Sequence, residues 1–233
     1  MNKPMATPDR KRSNLLRHAE QRLVQYLCSR LPQWVNSDML TAFGFFGSLV
    51  ICGGLWLGAS HRLFLLLAII GLAIHWFGDS LDGRLAYHRN RPRKWYGWAL
   101  DINVDWTSAC IIGLGFYLYL PAYKIMAALF VVVYGGAMII SLLRYKITNQ
   151  YEIDSFYFGP TELRLLLAAV LLAEIFRPDT LLYFSVAASL LLIIFNLIES
   201  CRLLRLGDQK DRDEKAAIKN QETPRELLNV SAA

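Results

Sequence analysis

Five stretches of this chain run for 16 to 23 residues without Asp, Glu, Lys or Arg. They lie between Asp38 and Arg62, Arg62 and Asp79, Asp105 and Lys124, Lys124 and Arg144, and Asp179 and Glu199. A sixth apolar run, Leu165 to Phe176, is broken only by Glu174. About 20 apolar residues in a helix cross the hydrocarbon of a bilayer. The pattern therefore predicts an all-α polytopic membrane protein with six transmembrane helices, at roughly 39–59, 62–86, 96–120, 122–145, 160–177 and 180–204. Pro121 and the Pro178-Asp179 pair mark two tight turns. With 55% hydrophobic and 19% charged residues, most of the chain is too apolar to be disordered. The net charge of +6 would suggest nucleic acid in a soluble protein. Here the charges sit between apolar runs, which excludes that partner in favour of a membrane. Cys28, Cys52, Cys110 and Cys201 form no CxxC pair and read as small apolar packing groups.

Basic residues orient the helices. The connections near 60, 122 and 178 carry only Arg62, Lys124 and Arg177. The N-terminal stretch carries Lys3, Arg10, Lys11, Arg12, Arg17, Arg22 and Arg30, and the loop after the second helix carries Arg89, Arg91, Arg93 and Lys94. The positive-inside rule places both termini and that loop in the cytoplasm. Residues 14–30 repeat Leu15, Ala19, Leu23 and Leu27 at helical spacing among arginines, the pattern of an amphipathic helix on the membrane surface. An ordinary solvated helix is the alternative. The chain thus divides into a basic cytoplasmic N-terminus (1–38), a six-helix membrane domain (39–204) and a polar tail (205–233) whose composition suggests disorder.

The segment from Asp79 to Asp105 carries the chemistry. Asp79 and Asp82 are three residues apart, and Asp101 and Asp105 four, so each pair shares a helical face. Counted from the outer ends of their helices, Asp79 and Asp105 lie ~24–26 Å deep, and Asp82 and Asp101 ~30 Å. Four carboxylates are thus expected to converge just inside the cytoplasmic boundary. Each costs ~2.5–3.5 kcal/mol in the membrane even on the lenient insertion scale. Some must be protonated, or hard cations must lie among them. An all-oxygen set suits Mg²⁺ or Mn²⁺, and two ions can be accommodated. Simple pairing with Arg84, Arg89 or Lys94 would account for one such pair but poorly for two at matched depths. Gly83 and Gly97 flank the acidic groups, where a missing side chain admits a ligand or a second helix.

These residues resemble the signature of the CDP-alcohol phosphotransferases, D-x2-D-G-x2-A-R-x8/9-G-x3-D-x3-D. Asp79, Asp82, Gly83, Ala86, Gly97, Asp101 and Asp105 fill seven of its eight fixed positions. Tyr87 stands where that family has arginine, with Arg84, His88 and Arg89 nearby. Asn36 and Thr41 resemble the stretch that opens the family's first membrane helix and borders its nucleotide site, although Asn36, Ser37 or Asp38 also reads as an ordinary helix cap. Phe158-Gly159-Pro160-Thr161-Glu162-Leu163-Arg164 resembles a stretch from an uncharacterised bacterial branch, and Gly-Pro followed by Thr and Glu is a good helix start.

The resemblance implies transfer of a phosphatidyl or other substituted phosphate group from a CDP-alcohol, foremost CDP-diacylglycerol, to an alcohol, with release of CMP, in phospholipid biosynthesis. It implies Asp79, Asp82, Asp101 and Asp105 as metal ligands, Asp105 as the catalytic base, and Gly83, Ala86, Gly97, Asn36 and Thr41 at the nucleotide. It also implies a bacterial inner membrane setting and lipid and CDP-alcohol partners, and it allows a homodimer. Arg164, Arg84 and Arg89 are candidates for acceptor or phosphate binding, with snorkelling of Arg164 to headgroups as the alternative. The 89–94 loop attracts anionic lipid or simply marks topology. His75, four residues before Asp79, supports a ligating carboxylate or packs helices. Asn196 and Glu199 make helix contacts or line an acceptor pocket. Two competing functions remain: a CDP-choline or CDP-ethanolamine phosphotransferase acting on diacylglycerol, and a small cation transporter built on the four Asp residues.

Overall fold

The computed structural model describes residues 17–148 and 160–230. Lys3, Arg10, Lys11, Arg12, Leu15, Phe158 and Gly159 lie outside the described residues. Among the described residues every regular element is helical: α1 (Arg17–Arg30), α2 (Ser37–Gly58), a 3-10 turn (Arg62–Phe64), α3 (Leu65–His88), α4 (Lys94–Tyr119), α5 (Lys124–Thr148), α6 (Pro160–Phe176) and α7 (Thr180–Val230). Each of the six apolar segments is a helix. Four of these helices, Ser37–Gly58, Arg62–His88, Lys124–Thr148 and the Thr180–Ala216 part of α7, are long and apolar enough to cross a membrane. The other two fall short for different reasons. α4 contains Asp101 and Asp105, and α6 has 17 residues.

The centre of the bundle is the antiparallel contact of α2 with α3. Gly44, Gly47 and Gly54 of α2 face Gly78, His75 and Ala68 of α3, and Gly71 faces Ile51. Backbone meets backbone along this line: a Cβ at Gly71 would lie 2.7 Å from the Ile51 nitrogen. Small residues permit such approach, and in lipid the resulting van der Waals contact drives helix association. Ser48 of α2 donates to Ser108 of α4 across a buried 3.2 Å contact. Ile51, Leu55, Leu65, Ala68, Leu72, Phe116, Leu171 and Leu181 fill the apolar core around these contacts.

α3 ends in a Schellman motif. The Arg91 N–H bonds the Ala86 carbonyl at 2.9 Å and the Asn90 N–H bonds Tyr87 at 3.0 Å, with Asn90 in the left-handed region at φ 53°. Asparagine tolerates that conformation and Pro92 prevents the helix from resuming. The chain then reverses within five residues and α4 runs back along the bundle.

Two segments carry detail that the sequence pattern does not show. α1 turns Glu20, Val24 and Cys28 inward, the last two against Leu81 and Leu85 of α3, while Ala19 and Leu23 of the expected apolar stripe are exposed and only Leu27 packs. Burial raises the Cys28 thiol pKa against the opposing influence of Arg84 and Arg89, which suits a packing role. Composition suggests disorder after residue 204, yet α7 continues to Val230. The reason is local: Lys, Arg, Glu, Gln and Ala are good helix formers, and Arg212 pairs with Asp208 one turn earlier at 2.5 Å.

Gly54→Val is expected to lower stability by about 1–3 kcal/mol, because its Cβ would lie 2.9 Å from the Ala68 Cα. Gly53→Ala, in the same helix with nothing within 4 Å, is expected to be neutral. Thermal unfolding of both variants in detergent checks the contrast.

Candidate metal and nucleotide site

α3 and α4 bring the four acidic residues together at the end of the bundle that carries the α3–α4 turn. Asp79, Asp82, Asp101 and Asp105 line one cavity with Thr41, Gly44, Phe45, His75 and Val104. Asp79, Asp101 and Asp105 each offer a carboxylate oxygen within 4.8 Å of the others. Three like charges at that separation repel strongly in a low dielectric. A hard divalent cation bound by carboxylate oxygens relieves the repulsion, so the donor set fits Mg²⁺ or Mn²⁺.

Asp82 belongs to the same cavity but is held from α2. Its Oδ2 accepts from the Thr41 hydroxyl at 2.7 Å, its Oδ1 accepts from the Gly83 N–H at 2.5 Å, and its backbone carbonyl accepts from the Ser37 hydroxyl at 2.8 Å. Asn36 caps α2, accepting from the Met39 N–H at 2.9 Å. Its side chain therefore serves the helix end, while Thr41 lines the cavity and braces an acidic residue.

Arg164 enters from α6. Its Nη2 lies 2.5 Å from Asp79 Oδ2, in an ion pair with both side chains mostly covered. His75 also lines the cavity. The other two candidate arginines point elsewhere. Arg84 pairs with Glu20 of α1 at 3.0 Å. Arg89 donates to the carbonyls of Leu31, Pro32, Gln33 and Val35, just past the end of α1. A cation there complements the helix dipole and satisfies terminal carbonyls. Glu199 pairs with Arg144 and Arg202, and the Asn196 side chain donates to the Val133 carbonyl at 2.8 Å, so both join α7 to its neighbours.

The motif glycines differ from those of the α2–α3 contact. A Cβ at Gly83 or at Gly97 would meet nothing within 4 Å. Among the described residues no second helix fills the space they leave, which leaves room for a ligand beside the carboxylates. Ala86 follows on the same face of α3, and Tyr87, the next residue, is half-buried in the last turn of that helix.

Sequence reasoning missed Glu20 and Trp76, and the long-range bonds of Ser37 and Thr161. Glu20 is a solitary acid in an arginine-rich helix, the one signal by which it stands out.

Removing one of three converging ligands should cost at least about tenfold in metal affinity. Asp101→Asn is expected to weaken Mn²⁺ binding by that much. Asp38→Asn, which breaks the exposed pair with Arg93 outside the cavity, should leave it within twofold. Electron paramagnetic resonance titration of free Mn²⁺ measures both.

A sequence profile described as CDP-alcohol phosphatidyltransferase matches residues 34–198. No curated protein matches the chain.

Proposed function

Because this chain belongs to the CDP-alcohol phosphatidyltransferase family, a family of phosphotransferases acting on CDP-linked alcohols, we propose that it transfers a phosphatidyl group from CDP-diacylglycerol to an alcohol acceptor, releasing CMP. The observation that carries this reading is the convergence of Asp79, Asp101 and Asp105 beside the open surfaces of Gly83 and Gly97.

Asp79, Asp82, Asp101 and Asp105 would hold Mg²⁺ or Mn²⁺. Such ions, when bound, would supply positive charge to neutralise the diphosphate of the donor and the departing CMP. The chain's own residues do the rest. Asp105 accepts the proton of the acceptor hydroxyl, which is a poor nucleophile at neutral pH. The bond from that oxygen to phosphorus forms as the bond from phosphorus to the CMP oxygen breaks. Thr41 keeps Asp82 in one orientation, and Gly83, Ala86 and Gly97 leave the cytidine nucleotide room to lie against α3 and α4. Arg164 binds a substrate phosphate, exchanging its partner Asp79 for the ligand. Tyr87 occupies the family's arginine position, and Arg164 supplies a positive charge at the cluster.

The setting follows from the same reading. All six helices from α2 to α7 cross a bacterial inner membrane, and both termini face the cytoplasm, where the basic residues concentrate. The outward Ala19 and Leu23 of α1 rest on the lipid surface. The membrane domain covers 39–204, and two copies form a dimer. The cluster lies near one end of the bundle, which favours an enzyme open to cytosolic CDP-alcohols over a transporter with its ion site at the midplane.

Purified protein in lipid with Mg²⁺ or Mn²⁺ is expected to release CMP from CDP-diacylglycerol and one of a panel of alcohols. Asp105→Asn should reduce this at least about 100-fold while keeping CDP affinity within a few-fold. Full turnover in that variant would refute the base assignment. Release only from CDP-choline or CDP-ethanolamine with diacylglycerol would reassign the donor.

A further inference from the structure

We propose that Glu20 and Thr161 form a positioning pair through which α1 sets the placement of α6, and so the reach of Arg164 to Asp79. The consequence for turnover rests on the reading of Arg164 as a phosphate-binding residue. The mechanical part does not.

Glu20 is the buried polar centre of α1, its side chain 4% exposed. One carboxylate oxygen faces the Arg84 guanidinium of α3 at 3.0 Å, and the other accepts from the Thr161 hydroxyl of α6 at 3.0 Å. Trp76 of α3 donates its indole N–H to the same hydroxyl at 3.3 Å. Three helices thus meet at one hydrogen-bonded node. A carboxylate removed from water must keep such partners, since an unsatisfied buried charge costs more than the bonds it loses. The node is therefore stiff.

α1 is a firm anchor for it. Arg89 holds the carbonyls beyond its C-terminal end, and Val24 and Cys28 pack on α3. Thr161 lies in the first turn of α6, three residues before Arg164, so both project from one side of the helix. Rotation or sliding of that first turn carries Arg164 with it. The ion pair to Asp79 has a separation of 2.5 Å, and a displacement of about 1 Å would take it out of hydrogen-bond range. Glu20 is not among the residues that line the carboxylate cavity; it reaches α6 through Thr161 and α3 through Arg84.

Thr161→Val keeps the shape of the side chain and removes the hydroxyl. Thr161→Ser restores it. Spin labels at Leu163→Cys on α6 and Met39→Cys on α2, both exposed positions, with the four native cysteines replaced, report the placement of α6 without reference to activity. Thr161→Val is expected to shift or broaden the distance distribution, Thr161→Ser to restore it, and Glu20→Ala to reproduce the Thr161→Val result. In turnover, Thr161→Val should raise KM for the CDP-alcohol about tenfold, the scale of one lost hydrogen bond, and have no further effect when combined with Arg164→Ala. An unchanged distance distribution in Thr161→Val overturns the proposal. So do effects of Thr161→Val and Arg164→Ala that multiply. A shifted distance in a protein that releases no CMP from any CDP-alcohol would refute the proposed function and leave the positioning pair standing.

Discussion

The backbone contact between α2 and α3 sets the position of everything at the candidate site. Glycines recur on the facing lines of both helices, so the two backbones touch where side chains would otherwise separate them. That contact fixes the register. Gly54 meets Ala68, Gly44 meets Gly78, and one further turn along, Thr41 meets Asp82. The same sequence of contacts therefore packs the bundle and orients an acidic residue in the cavity. In lipid there is no hydrophobic difference between one apolar surface and another, so shape carries this interface. Against that fixed pair, α4 adds Asp101 and Asp105 after a turn of five residues.

Buried charges elsewhere in the bundle show what a structural solution looks like. Glu174 accepts from the Tyr119 hydroxyl at 2.8 Å and from the Leu181 N–H at 2.7 Å, and so ties α4 to the first turn of α7. Glu199 has two arginines, and Arg89 has a set of carbonyls. Each of these groups is matched by charges or dipoles of opposite sign. The carboxylate cluster shares this matching at Asp79, which pairs with Arg164, and adds a convergence of like charges. Asp79, Asp101 and Asp105 are brought toward one another, a costly arrangement at membrane depth unless cations are bound. Gly83 and Gly97, with open space among the described residues, lie on the same two helices, whereas the glycines of the α2–α3 contact meet backbone. Repulsive convergence and unfilled space are what a metal-dependent phosphotransferase site requires.

Much of this was legible in the sequence, for reasons specific to membrane chains. Runs without charge fix helix positions because a bilayer tolerates few alternatives. Counting residues from the outer ends of two antiparallel helices brings Asp79 and Asp105 to one depth, since the helical rise is constant. The motif spacing then supplies the family. What stayed hidden are contacts between distant parts of the chain. Glu20 and Thr161 are 141 residues apart, and nothing in either segment announces the other. Arg84 and Arg89 read as candidates for phosphate binding near the motif, yet one meets a carboxylate of α1 and the other the carbonyls past that helix's end. The buried face of α1 was missed because it contains Glu20, and hydrophobic spacing alone selects Leu15, Ala19, Leu23 and Leu27 instead. The continuation of α7 to Val230 does not follow from composition, because polar composition is shared by disordered segments and by solvated helices.

The central claim is that the carboxylates of α3 and α4 are a divalent metal centre. Anomalous diffraction from crystals grown with Mn²⁺ tests it most directly. The account predicts anomalous density enclosed by Asp79, Asp101 and Asp105, with Arg164 displaced from Asp79 when a phosphate-bearing substrate is also bound. Density confined to the opposite end of the bundle, near His61 and Asp179, or no density at the cluster at saturating Mn²⁺, would contradict it.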